Sequence, residues 1–328
     1  MNEVNVKHCA QVARAGIAAC TLAGSLLLAL ATGERAAAAS PSTGGARTAA
    51  VGGARPAAHT SSIVHIADTG SPQTKSVSMK VSESGTGRNI LILHGGGGPG
   101  TMAALAAHLA ETAHVITPTH PGWDGTPRPE SLATVAALAD AYVRYLDDHD
   151  LKDVVVVGSS LGGWLGAEIA LRDTAHRVTG LVIINGVGVN IPGQPITNIS
   201  HFTPPEIAKV AYHDPSKFGA GAPPPTPERI AMMRANQATL AVFAGDPYCY
   251  DPTLLGRLKR IRIATLVLWG ASDHVVTKDY GHAYAAAIPH ARFETVAAAG
   301  HLPWLEQPAA TFAPLDRFLA ASARAAHH

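Results

Sequence analysis

Four short runs of uninterrupted apolar residues punctuate the chain: Ile90-Leu-Ile-Leu93, Val154-Val-Val-Val157, Leu181-Val-Ile-Ile184 and Leu266-Val-Leu-Trp269. A run with no polar alternation reads as a strand covered on both faces, as in a parallel sheet. The strand-like pieces are Ser76–Val81, Asn89–Leu93, His114–Thr117, Asp153–Val157, Gly180–Asn185, Thr265–Trp269 and Arg292–Val296. Between them lie helix-like windows at Met102–Glu111, Leu132–Asp148, Leu161–Asp173, Lys278–Ala287 and Pro308–Ala323. In the second window Leu138, Tyr142, Tyr145 and Leu146 recur at three- and four-residue spacing, which marks one buried face. Strand alternating with helix predicts an α/β fold with a mostly parallel sheet.

Residues 186–262 break that rhythm. They separate two core strands by far more than an ordinary connection, carry Pro204-Pro205 and Pro223-Pro224-Pro225, and hold one clear helix near Pro227–Phe243. They read as an inserted cap over a site within a domain spanning 61–328. Upstream, a basic start with Lys7 and Arg14 leads into an uncharged stretch at 15–32, and Ala36-Ala-Ala-Ala39 follows. Residues 1–39 read as a secretory signal peptide, with a membrane anchor as the rival, and the small, glycine-rich residues 40–60 as a flexible linker. Ile17-Ala-Ala-Cys20 matches a lipoprotein box only weakly, because the apolar residues follow the cysteine. A genuine leader places the mature protein outside the cytoplasm; without one it is cytoplasmic. Removing the leader leaves Cys249 as the sole cysteine, so no internal disulfide is expected.

Composition narrows the partners. Lys and Arg total 25 against 24 Asp and Glu, so the chain lacks the basic field that nucleic-acid binding uses. Charged residues make up 15% and hydrophobic ones 47%, which argues for a folded core and against disorder. The partner implied is a small, mostly apolar molecule, with no stable membrane span in the mature form.

The chemistry centres on Gly158-Ser-Ser-Leu-Gly162, a G-x-S-x-G pattern between a strand and a helix. That layout puts a serine on a sharp, strained turn with its hydroxyl exposed, and the pattern centres on Ser160, not Ser159. The helix start offers the Leu161 N–H to a developing oxyanion. The loop His94-Gly-Gly-Gly-Gly-Pro-Gly100 follows the first central strand. Gly95, Gly97 and Gly100 also fit a dinucleotide fingerprint, but the next strand ends in Thr117-Pro-Thr-His120 without the required carboxylate. No Lys-Ser/Thr pair follows, so a phosphate-binding P-loop is excluded. The better reading is the second half of an oxyanion hole, with Gly96 or else Gly97 as donor and His94 holding the loop.

A serine needs a base, and the base needs an orienting acid. His301 follows the last predicted strand, and Asp273 the strand before it, so both project from carboxyl ends of parallel strands. Asp246, Asp251 and Asp279 are nearby but follow no core strand, and Asn185, which ends the preceding strand, cannot ionise. His274 and His282 read as surface or lid residues. Trp123, Trp164, Phe202, Met232, Met233, Phe243, Tyr248 and Tyr250 are candidate pocket walls or plain packing. No H-E-x-x-H or paired Cys/His spacing suggests a metal.

Taken together, HGGGGPG at 94–100, HPGWDGT at 120–126, GSSLGG at 158–163, WGASDHVV at 269–276 and AGHLPWLEQP at 299–308 resemble the α/β-hydrolase superfamily over about residues 62–320. Within it the chain is similar to the branch of meta-cleavage C–C hydrolases, proline iminopeptidases and small esterases. The resemblance implies an eight-stranded, mostly parallel sheet with helices on both faces, a cap after the sixth strand, and no cofactor. It departs from relatives at His120, where many carry aspartate, and its elbow lacks the iminopeptidase tryptophan. Ser160 argues against epoxide hydrolases and haloalkane dehalogenases, which attack with a carboxylate. The expected activity is serine hydrolysis of an ester or related acyl compound through an acyl-enzyme. The alternatives are C–C hydrolysis of a diketone ring-cleavage product, or a ligand-binding protein on the same fold.

Overall fold

A computed structural model describes residues 60–67, 76–217 and 223–325. The leader at 1–39 and nearly all of the linker at 40–60 lie outside the described residues; Thr60, assigned to the linker, opens a strand. Eight strands form one sheet: β1 (Thr60–Ala67), β2 (Ser76–Ser84), β3 (Asn89–Leu93), β4 (His114–Thr119), β5 (Val154–Ser159), β6 (Val178–Ile184), β7 (Ala264–Gly270) and β8 (Arg292–Val296). Their spatial order is β1-β2-β4-β3-β5-β6-β7-β8. Strand β2 is antiparallel to both neighbours, and the rest of the sheet is parallel. This is the sheet of an α/β-hydrolase fold. The seven strands read from the sequence all form. Strand β1 has no run of its own in that reading; it is mostly exposed and held by pairing with β2.

The continuous apolar runs have the physical cause expected of them, since alternate residues feed opposite faces. Leu91, Val156, Leu181 and Val267 join α2 (Val135–Asp148) and α3 (Leu161–Arg172) in one core. Ile90, Val155, Val182 and Leu266 join α1 (Ala103–Leu109) and α9 (Pro308–Ala325) in the other. Helix α2 starts where Thr134 Oγ1 accepts the Ala137 N–H, an ordinary N-cap.

Between β6 and β7 the chain adds α4 (Pro204–Ala211), α5 (Pro227–Ala244) and the short α6 (Leu254–Arg257). Helix α4 begins with a capping box in which Glu206 answers Thr203. Its last turn ties to the site loops: Ala211 O accepts the His301 N–H at 2.7 Å, and Val210 O the His274 N–H at 2.9 Å. Helices α7 (Lys278–Ala286) and α8 (Pro303–Glu306) complete the fold. Among the described residues no helix is long and apolar enough to cross a membrane.

Candidate active site

Strand β5 runs straight into the turn that carries Ser160. Its backbone sits at φ 55°, ψ −119°, a strained conformation for a residue with a side chain. The turn closes only because its flanks lack Cβ atoms. A Cβ on Gly158 would lie 2.0 Å from Gly162 O, and one on Gly162 would lie 2.1 Å from Leu93 O. Both obstacles are backbone and cannot rotate away. Gly162→Ala is therefore expected to cost about 3 kcal/mol or more, as severe overpacking does. A urea midpoint equal to that of the unmodified protein contradicts this.

Asp273, at the carboxyl end of β7, is buried and accepts four hydrogen bonds. Its Oδ1 takes the N–H of Val275 at 2.8 Å and of Val276 at 3.2 Å. Its Oδ2 takes His301 Nδ1–H at 2.7 Å and Asn185 Nδ2–H at 2.5 Å. The carboxylate thus holds Nδ1 of His301 as the protonated nitrogen and leaves Nε2 free to accept a proton. The sequence excludes Asn185 as the acid because it cannot ionise. Here it serves as a donor, oriented in turn by the Gly270 N–H on its Oδ1 at 3.2 Å. The signal for it was its place at the end of β6, beside the end of β7.

Ser160 and His301 line the same cavity, without a direct hydrogen bond between them. Such bonds often tighten only around substrate. Gly95 packs directly on the serine, and a Cβ there would stand 2.9 Å from Ser160 Cβ. Gly96, Gly97 and Leu161 also line the cavity. Leu161 opens α3, so its N–H has no intrahelical acceptor.

The glycine loop stands on two buried histidines whose rings stack at 3.8 Å. His94 Nε2 accepts the His120 N–H at 3.1 Å, so Nδ1 carries the proton it donates to Gly95 O at 2.7 Å. His120 Nε2–H donates to His94 O at 3.1 Å, and its Nδ1 accepts the Tyr142 hydroxyl at 2.6 Å. Every ring nitrogen has its role only if both rings are neutral. Burial accordingly pushes His94 from 6.5 down to about 4 and holds His120 well below its usual value. The unfolded chain takes up protons at these rings below pH 6.5, whereas folded His94 stays neutral to about 4. Stability from His94 is full above 6.5 and falls by about 1.4 kcal/mol per pH unit on the way to 4. Urea midpoints measured from pH 7 to 5 should drop, with a shallower slope in His94→Asn. An unchanged slope in that variant counts against the neutral pair.

The pocket walls match those expected only in part: Met233 and Tyr248 line the cavity, and the others do not. None of Trp123, Trp164, Phe202, Met232 and Phe243 lines the cavity. Trp123 is fully buried, stacks on Phe243 at 5.4 Å and donates its Nε1–H to Gly96 O at 3.0 Å, so it supports the loop from behind. Trp164 is buried beneath Gly188, where a Cβ would meet its ring at 2.4 Å. Phe202 packs on the core beside α1 and α9, and the Met232 methyl lies toward Gly125. The walls are mostly aliphatic, with Val187, Ile196, Ile199, Ile207, Leu240 and Leu302 prominent. Cys249 also lies there, and burial pushes its thiol up to about 12, so it is an apolar wall and not a thiolate.

A sheet of this order, with a serine at the β5–α3 turn and an acid and a histidine after β7 and β8, defines a hydrolase class. The chain belongs to the alpha/beta hydrolase family, whose sequence profile matches residues 90–315. It is 28% identical over 251 residues to a pimeloyl-[acyl-carrier protein] methyl ester esterase of Aromatoleum aromaticum, covering 67% of this chain and 93% of the relative. It is 26% identical over 274 residues to a 2-hydroxy-6-oxononadienedioate/2-hydroxy-6-oxononatrienedioate hydrolase of Paraburkholderia phymatum, covering 74% and 90%. Among solved structures, a thermophilic esterase from Thermogutta terrifontis superposes with a TM-score of 0.62 at 23% identity, over 80% of this chain and 99% of that one. At that identity the superposition shows the shared fold.

Proposed function

We propose that this enzyme is a serine hydrolase of uncharged carboxylic esters. Ser160 Oγ attacks the ester carbonyl as His301 Nε2 takes its proton. The N–H groups of Leu161 and Gly96 hold the oxyanion, with Gly97 as the alternative to Gly96. The tetrahedral adduct collapses, the C–O bond to the alcohol breaks, and the imidazolium returns the proton to the leaving oxygen. Water then attacks the acyl-serine, His301 takes the water proton and passes it to Ser160 Oγ, and the acid departs. Asp273 stabilises the imidazolium in both halves.

One observation supports this over C–C hydrolysis. The cavity at Ser160 is lined mainly by aliphatic side chains, with Thr101, Asn236, Gln237 and Tyr248 as neutral polar members, and holds no Lys or Arg among the described residues. A ring-cleavage product carries a carboxylate, and burying that charge without a partner is costly. Lys209, Lys217, Arg229 and Arg234, cations of the segment between β6 and β7, do not line the cavity. Incubation with neutral p-nitrophenyl esters and, in parallel, with a 2-hydroxy-6-oxo-dienoate tests the choice. Turnover of the ester with little turnover of the dienoate is expected. Preferred turnover of the dienoate overturns the reading, and tight binding of both without turnover points to a ligand-binding protein.

A further inference from the structure

Helix α5 presents Met233, Asn236, Gln237 and Leu240 to the cavity. Their spacing of three and four residues places them on one helical face. That face is pinned to the turn after β4 by polar bonds. Asn236 Oδ1 accepts the Asp124 N–H and Asn236 Nδ2 donates to Asp124 Oδ1, each at 2.8 Å. Thr239 Oγ1 donates to Gly122 O at 2.9 Å. The pinning leaves Leu240 hard against the glycine loop, so that a Cβ on Gly96 would fall 2.5 Å from Leu240 Cδ2. The cavity as a whole, which Ile207, His301 and Leu302 also line, measures about 100 Å³. A void of about 150 Å³ holds a single benzene ring.

We propose that Leu240 is the residue that limits acyl-chain length, confining the enzyme to esters of short, uncharged acids from acetyl to butyryl. This rests on the serine-hydrolase reading above. The direction follows from the chemistry: the leaving oxygen must lie toward His301, which protonates it. The acyl chain leaves the same carbon by a bond distinct from those to the oxyanion and the leaving oxygen, and in this assignment it lies under Leu240, which lines the cavity beside Gly96. A longer chain reaches the Leu240 methyl groups and has to displace a helix held by Asp124 and Gly122.

The test is kcat/KM on p-nitrophenyl acetate, butyrate and octanoate, with fluorophosphonate labelling of each variant to verify a competent serine. The unmodified enzyme should favour acetate and butyrate over octanoate by at least about tenfold, the lower end of what a single methylene commands. Leu240→Ala should raise the octanoate-to-acetate ratio by about tenfold or more, while Leu240→Phe should lower the butyrate-to-acetate ratio. Should the alanine variant fold poorly, the phenylalanine variant decides the matter by its opposite sign. Labelled variants whose ratios move by less than about twofold overturn the assignment of Leu240 alone. So does a shift that follows the alcohol, read with methyl against octyl acetate. An unmodified enzyme that takes no label and cleaves no ester overturns this assignment and the proposed function together.

Discussion

Ser160→Ala should abolish fluorophosphonate labelling and lower kcat on a neutral p-nitrophenyl ester by at least about 10⁴-fold, since removing the nucleophile of such a triad disables its partners as well. Stability should hardly change. The turn is held by Gly158 and Gly162 and by the Ser160 backbone N–H, which donates to Ile184 O at 3.1 Å, and none of these needs the hydroxyl. Alanine still has to adopt φ 55°, so some strain remains. A folded Ser160→Ala protein that keeps even a tenth of the activity, or still takes label, sinks the assignment of the nucleophile.

Asp273→Asn is expected to lower kcat by about 10⁴-fold while leaving substrate binding nearly intact, because it forces the wrong histidine tautomer. Both oxygens of Asp273 are surrounded by donors: two backbone N–H groups on one, Asn185 and His301 on the other. An asparagine must turn its NH2 toward one pair. Against Val275 and Val276 it meets fixed N–H groups that cannot change sign. It therefore turns toward Asn185 and His301, and His301 can respond by moving its proton to Nε2. In that tautomer it cannot accept a proton from Ser160. The clash with Asn185 Nδ2 should also cost about 1–3 kcal/mol of stability, the penalty of an unsatisfied buried donor. Asn185→Asp alone should not restore the loss of kcat, because it does not return the proton to Nδ1. Paired kcat and KM values for Asp273→Asn decide the point. A variant that loses activity through KM with kcat unchanged shows that Asp273 shapes the pocket and does not orient the imidazole.

Much of the site was legible because it is built locally. A buried strand, a glycine-flanked serine and a helix start are neighbours in the chain, so their order alone puts Ser160 on the turn. Asp273 and His301 were reachable by the same logic, since residues just after parallel strands share one edge of the sheet. Asn185 follows β6 in the same way and was missed because only its inability to ionise was weighed. Its value lies in donating to an acid 88 positions away, which no local pattern announces.

The pocket walls are legible only in part, with Met233 and Tyr248 in place, for a related reason. Large aromatic residues lie near the site in sequence, yet size drives burial as readily as it serves a ligand. Trp123 and Phe243 satisfy each other by stacking, and Trp164 is covered by Gly188. Most of the aliphatic residues that line the cavity come from the long segment between β6 and β7, where nothing in the periodicity of α5 says which face turns inward. That face is chosen by Asn236 and Thr239, whose partners Asp124 and Gly122 lie more than a hundred residues upstream.

By itself, then, the sequence determined the parallel sheet, the elbow and the strand ends that carry the serine, the acid and the histidine. All of these follow from apolar runs and turn residues acting over a few positions. The tertiary structure alone decided the tautomers of His94 and His120, the donor role of Asn185 and the approach of Leu240 to Gly96. Each of these depends on a contact between distant segments, where burial removes water as a competing partner and leaves the geometry of the neighbours to set the chemistry.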